Sequence, residues 1–286
     1  MLYRKFADTD IKLSVLGFGT AGIGLNNYLK EFNSIQLQEE SISALEKAIE
    51  LGINYFDSAP AYGNKTPGAE WPTDRMAETL LGKVIENNMQ KRTQLFIATK
   101  NQIGQYEKGE IRRSLEKSLD LLKTDYIDLF QVHGANYRES QYVNMMSEEA
   151  EKEILKLKEE GLVKYLGISG YREGGLLAAV DRGIYDAIMA QYNIFYRSAE
   201  WELLDVLKEK KMAFLPMRPV TAEKIVSFIN EIDPENKLNI NPYHVAMKYV
   251  LMNDAVTSIP VGMRTASEVE ENIAYIDSLK EVISHE

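Results

Sequence analysis

The sequence contains no cysteine among its 286 residues, so disulfide bonds and thiolate metal sites are excluded. Histidine is scarce as well, with three residues in the whole chain. No apolar run approaches the ~20 residues that a membrane-spanning helix requires. The first five residues, MLYRK, do not begin the apolar core of a signal peptide. A cytoplasmic protein is therefore the expectation.

Clustered basic charge is also missing. The chain has 33 Lys and Arg residues against 43 Asp and Glu residues, which gives a net charge of −10. Its basic runs, Lys91-Arg92 and Lys208 to Lys211, are short and interrupted by acids. A groove for nucleic-acid phosphates needs clustered Lys and Arg, and an acidic surface repels anionic lipid. We therefore expect a small-molecule partner, and neither nucleic acid nor membrane.

Short β-rich segments alternate regularly with longer amphipathic segments. The eight strand candidates are Leu16–Gly19, Asn54–Asp57, Leu95–Lys100, Tyr126–Val132, Tyr165–Ile168, Ala187–Gln191, Ala213–Met217 and Ser258–Ile259. Such alternation implies a parallel sheet with right-handed crossovers. The length suits one barrel, a fold that typically takes about 250 residues. We predict a single α/β domain over residues 1–286, a (β/α)8 TIM barrel, with an open doubly wound sheet as the alternative.

Two features interrupt the alternation. Tyr3–Phe6 and Lys12–Ser14 flank a turn and predict a β-hairpin that closes the bottom of the barrel. Two long loops, Ala61–Thr73 and Gly134–Ser147, follow the second and fourth strands, and long loops in compact domains tend to be functional or mobile.

The ends of three successive strands carry polar side chains. Asp57 ends the second strand, Lys100 the third and His133 the fourth, and Tyr62 follows Asp57 by five residues. Chemistry in barrels takes place at the C-terminal ends of the strands. Each residue alone more often has a structural role: an Asp caps a turn, and a lone His packs. Their joint placement at one rim indicates a catalytic site.

These four residue types suit acid–base catalysis. A free phenol has a pKa of about 10 and is a poor acid at neutral pH. A nearby lysine ammonium favours the phenolate, so Lys100, held by Asp57, can make Tyr62 a better proton donor. A neutral His133 can donate a hydrogen bond that orients a substrate carbonyl. One imidazole and one paired carboxylate support metal binding poorly, so no metal is expected.

Four motifs in order resemble those of the aldo-keto reductase family. They are Gly-Ile-Asn-Tyr-Phe-Asp-Ser-Ala-Pro-Ala-Tyr-Gly (52–63), Phe-Ile-Ala-Thr-Lys (96–100), Asp-Leu-Phe-Gln-Val-His (128–133) and Gly-Leu-Val-Lys-Tyr-Leu-Gly-Ile-Ser (161–169). The resemblance extends from Leu16 to Asn272 and favours the barrel over the open sheet. It implies NAD(P)H-dependent reduction of an aldehyde or ketone, or the reverse reaction, with Tyr62 as the general acid/base.

The resemblance also implies a nicotinamide cofactor site. Gly19, Thr20, Ala21 and Asp57 would lie along the nicotinamide and its ribose, and Ser169 and Gln191 would hold the carboxamide. Met217, Arg218 and Pro219 would lie against the ring and the pyrophosphate. Gly262, Met263, Arg264, Glu268, Glu271 and Asn272 would hold the adenosine end. The substrate would contact Tyr62, His133 and Trp71 of the first long loop.

Three positions depart from the family pattern. Gly170 stands where the family usually has Asn, so one carboxamide contact is missing or replaced. The ring-stacking position, usually aromatic, falls on Met217, with Phe214 as the rival. Glu268 stands where a basic residue is frequent, which leaves NAD possible although NADP is expected. The remaining alternatives are a cofactor-binding regulatory subunit of the same fold and a metal-dependent barrel hydrolase.

Overall fold

The computed structural model describes residues 1–23, 35–63, 74–134, 146–221, 223–235 and 237–283. A two-stranded antiparallel hairpin pairs β1 (Tyr3–Lys5) with β2 (Lys12–Ser14). Eight parallel strands follow: β3 (Leu16–Gly19), β4 (Tyr55–Asp57), β5 (Phe96–Lys100), β6 (Ile127–His133), β7 (Val163–Gly170), β8 (Ala187–Gln191), β9 (Ala213–Met217) and β10 (Ile259–Gly262).

The eight strands form a barrel in chain order. β10 lies beside β3, and each later strand up to β9 pairs with the one before it. The two ends of the sheet also meet: Phe214 of β9 forms a parallel bridge with Val256, and the Thr257 N–H donates to the Phe214 carbonyl at 2.9 Å. This contact closes the sheet and rejects the open doubly wound alternative.

Helices separate the strands. Their bounds are α1 (Ile35–Glu50), α2 (Met76–Asn87), α3 (Glu110–Leu122), α4 (Glu148–Glu159), α5 (Glu173–Asp181), α6 (Leu203–Glu209), α7 (Glu223–Ile232), α8 (Pro242–Leu251), α9 (Ala266–Ser278) and α10 (Lys280–Ile283). Local sequence sets several of these starts. The Ser147 hydroxyl caps α4, Asn241 caps α8 with Pro242 in its first turn, and Thr265 caps α9. Two helices, α7 and α8, lie between β9 and β10.

Side chains inside the barrel form their own apolar cluster. It includes Tyr55, Phe96 and Leu129 from neighbouring strands, and Phe6 and Leu13 of the hairpin. The Phe6 ring centroid lies 4.8 Å from that of Phe96. The hairpin thus closes the N-terminal end of the barrel, as the sequence predicts. A larger cluster fills the space between the outer face of the sheet and the helices.

Most strand boundaries agree with the sequence-based assignment to within one residue, but two strands and one helix differ from it. The sequence predicts the last strand as Ser258–Ile259, whereas β10 runs from Ile259 to Gly262. The sequence predicts β7 as Tyr165–Ile168, whereas the strand runs from Val163 to Gly170. The amphipathic segment Ala199–Glu209 predicts one continuous helix, whereas the structure has a 3-10 turn, Ser198–Glu200, followed by α6. In this turn the side chain of Glu200 accepts hydrogen bonds from Tyr192 and Tyr249, and the separate turn accommodates these two contacts.

Over the described ranges, no helix combines the length and apolarity needed to cross a membrane.

Candidate active site

The last residues of the eight strands form one ring at the C-terminal rim. Strand register pairs Gly19 with Asp57, His133 with Ser169, Gln191 with Met217, and Gly262 with Gly19. Lys100 lies opposite Gln131 of β6. Residues far apart in the sequence therefore converge on one surface because parallel strands all end there.

Asp57 and Lys100 form a buried ion pair inside this ring. The Lys100 ammonium donates to both carboxylate oxygens of Asp57, at 2.7 and 2.8 Å, and to the Ser58 carbonyl at 2.9 Å. Both side chains are about 95% or more buried. Burial lowers the pKa of Lys100, and the Asp57 carboxylate opposes that shift. The pair depends on mutual contact, because removing one partner leaves a buried charge uncompensated.

Tyr62 lies over this pair. Its ring centroid is 4.8 Å from the Lys100 ammonium nitrogen, and 6.0 Å from the His133 ring at an angle of 88°. The following residue, Gly63, has a φ of +94°, and a Cβ there would lie 2.6 Å from the Ala77 nitrogen. Only glycine can therefore bring the start of α2 this close and hold Tyr62 at the rim.

The backbone of His133 is fixed by the loop after β5. Its N–H donates to the Asn101 side-chain oxygen at 2.6 Å, and its carbonyl accepts from the Tyr106 hydroxyl at 2.8 Å. Burial, and secondarily the charge of Lys100, lower the pKa of His133 to about 3. The imidazole is therefore neutral at physiological pH. Within the described ranges the buried Nδ1 has no hydrogen-bond partner. A buried N–H without an acceptor is costly, so the proton is expected on Nε2.

This shift predicts how stability depends on pH. The pKa of His133 is about 3 in the folded chain against 6.5 for the unperturbed group. Between these values the unfolded chain binds more protons, so stability falls as pH decreases from 6.5 toward 3. The slope from this one group is at most about 1.4 kcal/mol per pH unit. Urea denaturation at pH 7 and at pH 5 measures this effect. We expect the free energy of unfolding to decrease less between the two pH values in His133→Gln than in the wild type. Parallel curves for the two proteins would contradict the shift.

The residues assigned to the nicotinamide end lie at the C-terminal rim and differ in the hydrogen bonds that their side chains make. The Thr20 hydroxyl donates to the Asp57 carbonyl at 3.1 Å and lies within hydrogen-bonding distance of the Ser58 hydroxyl, at 3.0 Å, so it connects the end of β3 to the end of β4. Ser169 makes one long hydrogen bond, 3.4 Å to the Val132 carbonyl. Ser169, which pairs with His133, is the second-last residue of β7, and Gln191 is the last residue of the adjacent β8. A hydroxyl and an amide side chain thus lie close together at the rim.

The two rivals for the ring-stacking position lie on opposite sides of the barrel wall. Phe214 is fully buried in the outer layer, where it packs against Tyr192 at 5.8 Å between centroids. Met217 is half-buried at the inner mouth, in contact with the inner cluster. Arg218 follows it, exposed and with a φ of +55°, and its guanidinium lies 5.6 Å from the Tyr171 ring. Met217 is thus the rival that faces the rim.

Residues assigned to the adenosine end are only partly available to a ligand. The Arg264 N–H donates to Glu268 at 2.6 Å, and its guanidinium lies 3.4 Å from the same carboxylate. Met263 is buried in the outer core, so only its backbone could face a ligand. Glu271 accepts from Asn241, while Asn272 is half-buried on α9. Glu268 therefore turns toward Arg264 at the start of α9. Trp71 lies outside the described residues.

Sequence reasoning missed the polar residues beneath the Asp57–Lys100 pair. Gln131 is fully buried and donates through Nε2 to Asp57 at 3.0 Å. Tyr55 is fully buried too, and burial, followed by the charge of Asp57, raises its pKa well above the usual range. A signal was present: Gln131 is two residues before His133, and Tyr55 two before Asp57. Alternation along a strand places residues two apart on the same face.

A further buried carboxylate lies behind β5. Glu78 of α2 is fully buried, and one oxygen accepts from the Thr99 hydroxyl at 2.7 Å. Its other oxygen is 3.6 Å from the Arg75 guanidinium. Burial raises the pKa of Glu78. Its charge also raises the pKa of Lys100, after the larger contributions from burial and Asp57.

Comparison with known proteins gives consistent results. Residues 15–237 match the model of the Aldo/keto reductase family. The chain is 25% identical to an L-galactose dehydrogenase of Arabidopsis thaliana, over 97% of this chain and 88% of that protein. It is 28% identical to the uncharacterised oxidoreductase YqkF of Bacillus subtilis (strain 168), over 96% of this chain and 90% of that protein. Among solved structures, the thermostable aldo-keto reductase Tm1743 bound to the inhibitor epalrestat has a TM-score of 0.77, with 26% identity over 97% of this chain and 94% of that one.

Proposed function

Because the chain belongs to the aldo/keto reductase family, we propose that it reduces an aldehyde or ketone to an alcohol, or catalyses the reverse reaction, by hydride transfer with NAD(P)H. The family and its oxidoreductase relatives support carbonyl reduction as the general chemistry. The assignment of roles to particular residues is our proposal. The observation that carries it is the convergence of Tyr62, the Asp57–Lys100 pair and His133 at the C-terminal rim.

In this proposal Tyr62 is the general acid. The Lys100 ammonium 4.8 Å from its ring centroid favours the phenolate, and so helps the phenol to release its proton to a substrate oxygen. Asp57 holds Lys100 in place through both carboxylate oxygens. Neutral His133 donates through Nε2 to the same substrate oxygen and orients the carbonyl. In the reverse direction the Tyr62 phenolate accepts the proton of the alcohol.

The side chains at the rim fit a dinucleotide cofactor. Ser169 and Gln191 offer the hydroxyl and amide groups that a carboxamide can bond, and Met217 offers an apolar surface. Loops after the last two barrel strands are the usual phosphate site in this fold, and here they carry Arg218 and Arg264. Space remains above Gly262, where an added Cβ would meet only the Gly19 carbonyl oxygen, at 3.9 Å. A bound nicotinamide would supply or accept the hydride.

A spectrophotometric screen tests the proposed function. Oxidation of NADH and of NADPH is followed at the nicotinamide absorbance with aldehydes, ketones and sugars, sugars being included because one relative is named an L-galactose dehydrogenase. We expect turnover with at least one carbonyl class. A cofactor-binding regulatory subunit would bind the nucleotide and turn over none of the panel. The oxidoreductase names of the relatives do not favour that alternative.

The choice between NADP and NAD depends on Arg264. A 2′-phosphate needs a basic partner, and Arg264 is paired with Glu268. We propose NADP as the cofactor, bound more weakly than an unpaired arginine would allow. Glu268→Gln should therefore increase NADPH affinity about 1.5- to 5-fold, the order of an exposed charge interaction, and Glu268→Arg should increase it further.

Dissociation constants for both nucleotides, from cofactor fluorescence, test this prediction. NADH affinity should stay nearly constant, since NADH lacks the 2′-phosphate. Glu270→Gln, two residues along on the same helix and exposed, serves as the matched control for net charge. Equal gains in both Glu→Gln variants would mean that overall charge, rather than the release of Arg264, is responsible.

A further inference from the structure

The Asp57–Lys100 pair has a third partner that the reaction scheme does not use. Gln131 of β6 donates through Nε2 to Asp57 Oδ1 at 3.0 Å, from directly below the rim. Lys100 contacts both oxygens of the same carboxylate. Asp57 of β4 is thus held by side chains of both β5 and β6, and its carboxylate plane cannot rotate without breaking one of these contacts.

Gln131 is itself tightly held. It is fully buried, and a Cβ added at Gly167 of the next strand would lie 3.1 Å from the Gln131 Cγ. Its Oε1 is buried without a hydrogen-bond partner among the described residues. A buried amide that leaves its oxygen unpaired is costly for stability. A purely structural role would be served as well by an apolar side chain, so the donated hydrogen bond to Asp57 is what distinguishes glutamine here.

We propose that Gln131 is a positioning residue for the reaction, acting through Asp57 on the charge that Lys100 presents to Tyr62. This rests on the proposed function. The amide N–H offsets part of the negative charge of Asp57. Without it, Asp57 cancels more of the positive field of Lys100, and Tyr62 becomes a weaker acid. The other titratable groups facing the pair are Tyr55 on β4, Tyr62 above it, His133 on β6 and Glu78 behind β5.

Two substitutions separate positioning from packing. Gln131→Met keeps the length of the side chain and removes the donor together with the unpaired oxygen. We expect kcat to fall roughly 10-fold, the order of one hydrogen bond to a charged group. KM should stay within about 2-fold, since Gln131 lies beneath the pair and not at the open rim. The limb of the pH–rate profile controlled by Tyr62 should move to higher pH.

Gln131→Glu places a titratable carboxyl group beside Asp57 and so makes the contact dependent on pH. The carboxyl group it introduces can donate to Asp57 when protonated and repels it when ionised, so kcat should approach the wild-type value at low pH and fall as pH rises. The group sits beside a buried carboxylate, so its folded-state pKa is raised above the unfolded value. The variant should therefore lose stability relative to the wild type as pH increases. That loss is measured by denaturation, without any substrate.

Leu129→Met is the matched control. It is on the same strand, two residues earlier, and faces the same inner cluster without a hydrogen bond to the pair. It should leave kcat and the pH profile unchanged. A pH profile for Gln131→Met that overlays the wild type overturns the positioning role. If the wild type reduces no carbonyl but the stability of Gln131→Glu still falls with pH, the contact stands and the proposed function fails. A pH-independent stability difference overturns the contact itself.

Discussion

Tyr62→Phe is expected to lower kcat by about 10²- to 10⁴-fold, the range typical for loss of a general acid. The substitution keeps the ring beside Lys100 and His133 and removes only the hydroxyl, so packing at the rim is preserved. Cofactor dissociation constants should be unchanged, because the ring remains and the proposed nicotinamide contacts come from other strands. Steady-state kinetics and fluorescence titration measure the two quantities on the same preparation.

Tyr106→Phe is a suitable control for Tyr62→Phe. It also removes a phenol hydroxyl near the site, one that donates to the His133 carbonyl. The proposal expects a much smaller effect there, through the position of His133 alone. A similar decrease of kcat in the two variants, or near-normal turnover by Tyr62→Phe, would contradict the assignment of Tyr62 as the proton donor.

Loss of the Lys100 charge should reduce kcat by a similar order, about 10²-fold or more, since Tyr62 would then have no cation to favour proton release. The single substitution Lys100→Met carries a complication. It leaves Asp57 as a buried, unpaired carboxylate, and breaking such a pair typically costs about 3–5 kcal/mol of stability. Some of its loss of activity could then come from unfolding.

The double substitution Asp57→Asn with Lys100→Met removes both charges and avoids that complication. We expect it to be more stable than Lys100→Met alone and equally inactive, as thermal denaturation and single-turnover kinetics would show. Asp57→Asn alone should reduce activity and displace the pH–rate profile. A double variant that recovers activity along with stability would show that the pair serves the fold and not the reaction.

Apolar runs in the sequence located all eight barrel strands, and three of them have the predicted bounds. Leu16–Gly19, Ala187–Gln191 and Ala213–Met217 are observed with their predicted bounds. Parallel strands buried on both faces form near-continuous apolar runs, which are easy to recognise in a sequence. The error at Ala199 arose because the pattern of Leu203, Leu204 and Leu207 extends backward, while the contacts of Glu200 with distant tyrosines decide where the helix begins.

The sequence did not decide whether Met217 or Phe214 occupies the ring-stacking position. Both residues belong to β9, three positions apart, and alternation places them on opposite faces. Which face lies inside depends on how the sheet closes, and closure involves the bridge between Phe214 and Val256. The pairing of Arg264 with Glu268 could likewise not be predicted, because the family resemblance assigns Glu268 to the cofactor site without showing the direction of its side chain.

The sequence by itself determined the alternating βα units, the hairpin and the strand ends that carry Asp57, Lys100 and His133, because these are local features. The family resemblance favoured the barrel over the open sheet, and the bridge between Phe214 and Val256 decided it. The tertiary structure alone decided which side chains touch. It placed Gln131 under Asp57 at 3.0 Å across 74 residues of chain, and it enclosed His133 so that its pKa falls to about 3. Such contacts follow from the register between strands and from exclusion of water, and neither is encoded in any one segment.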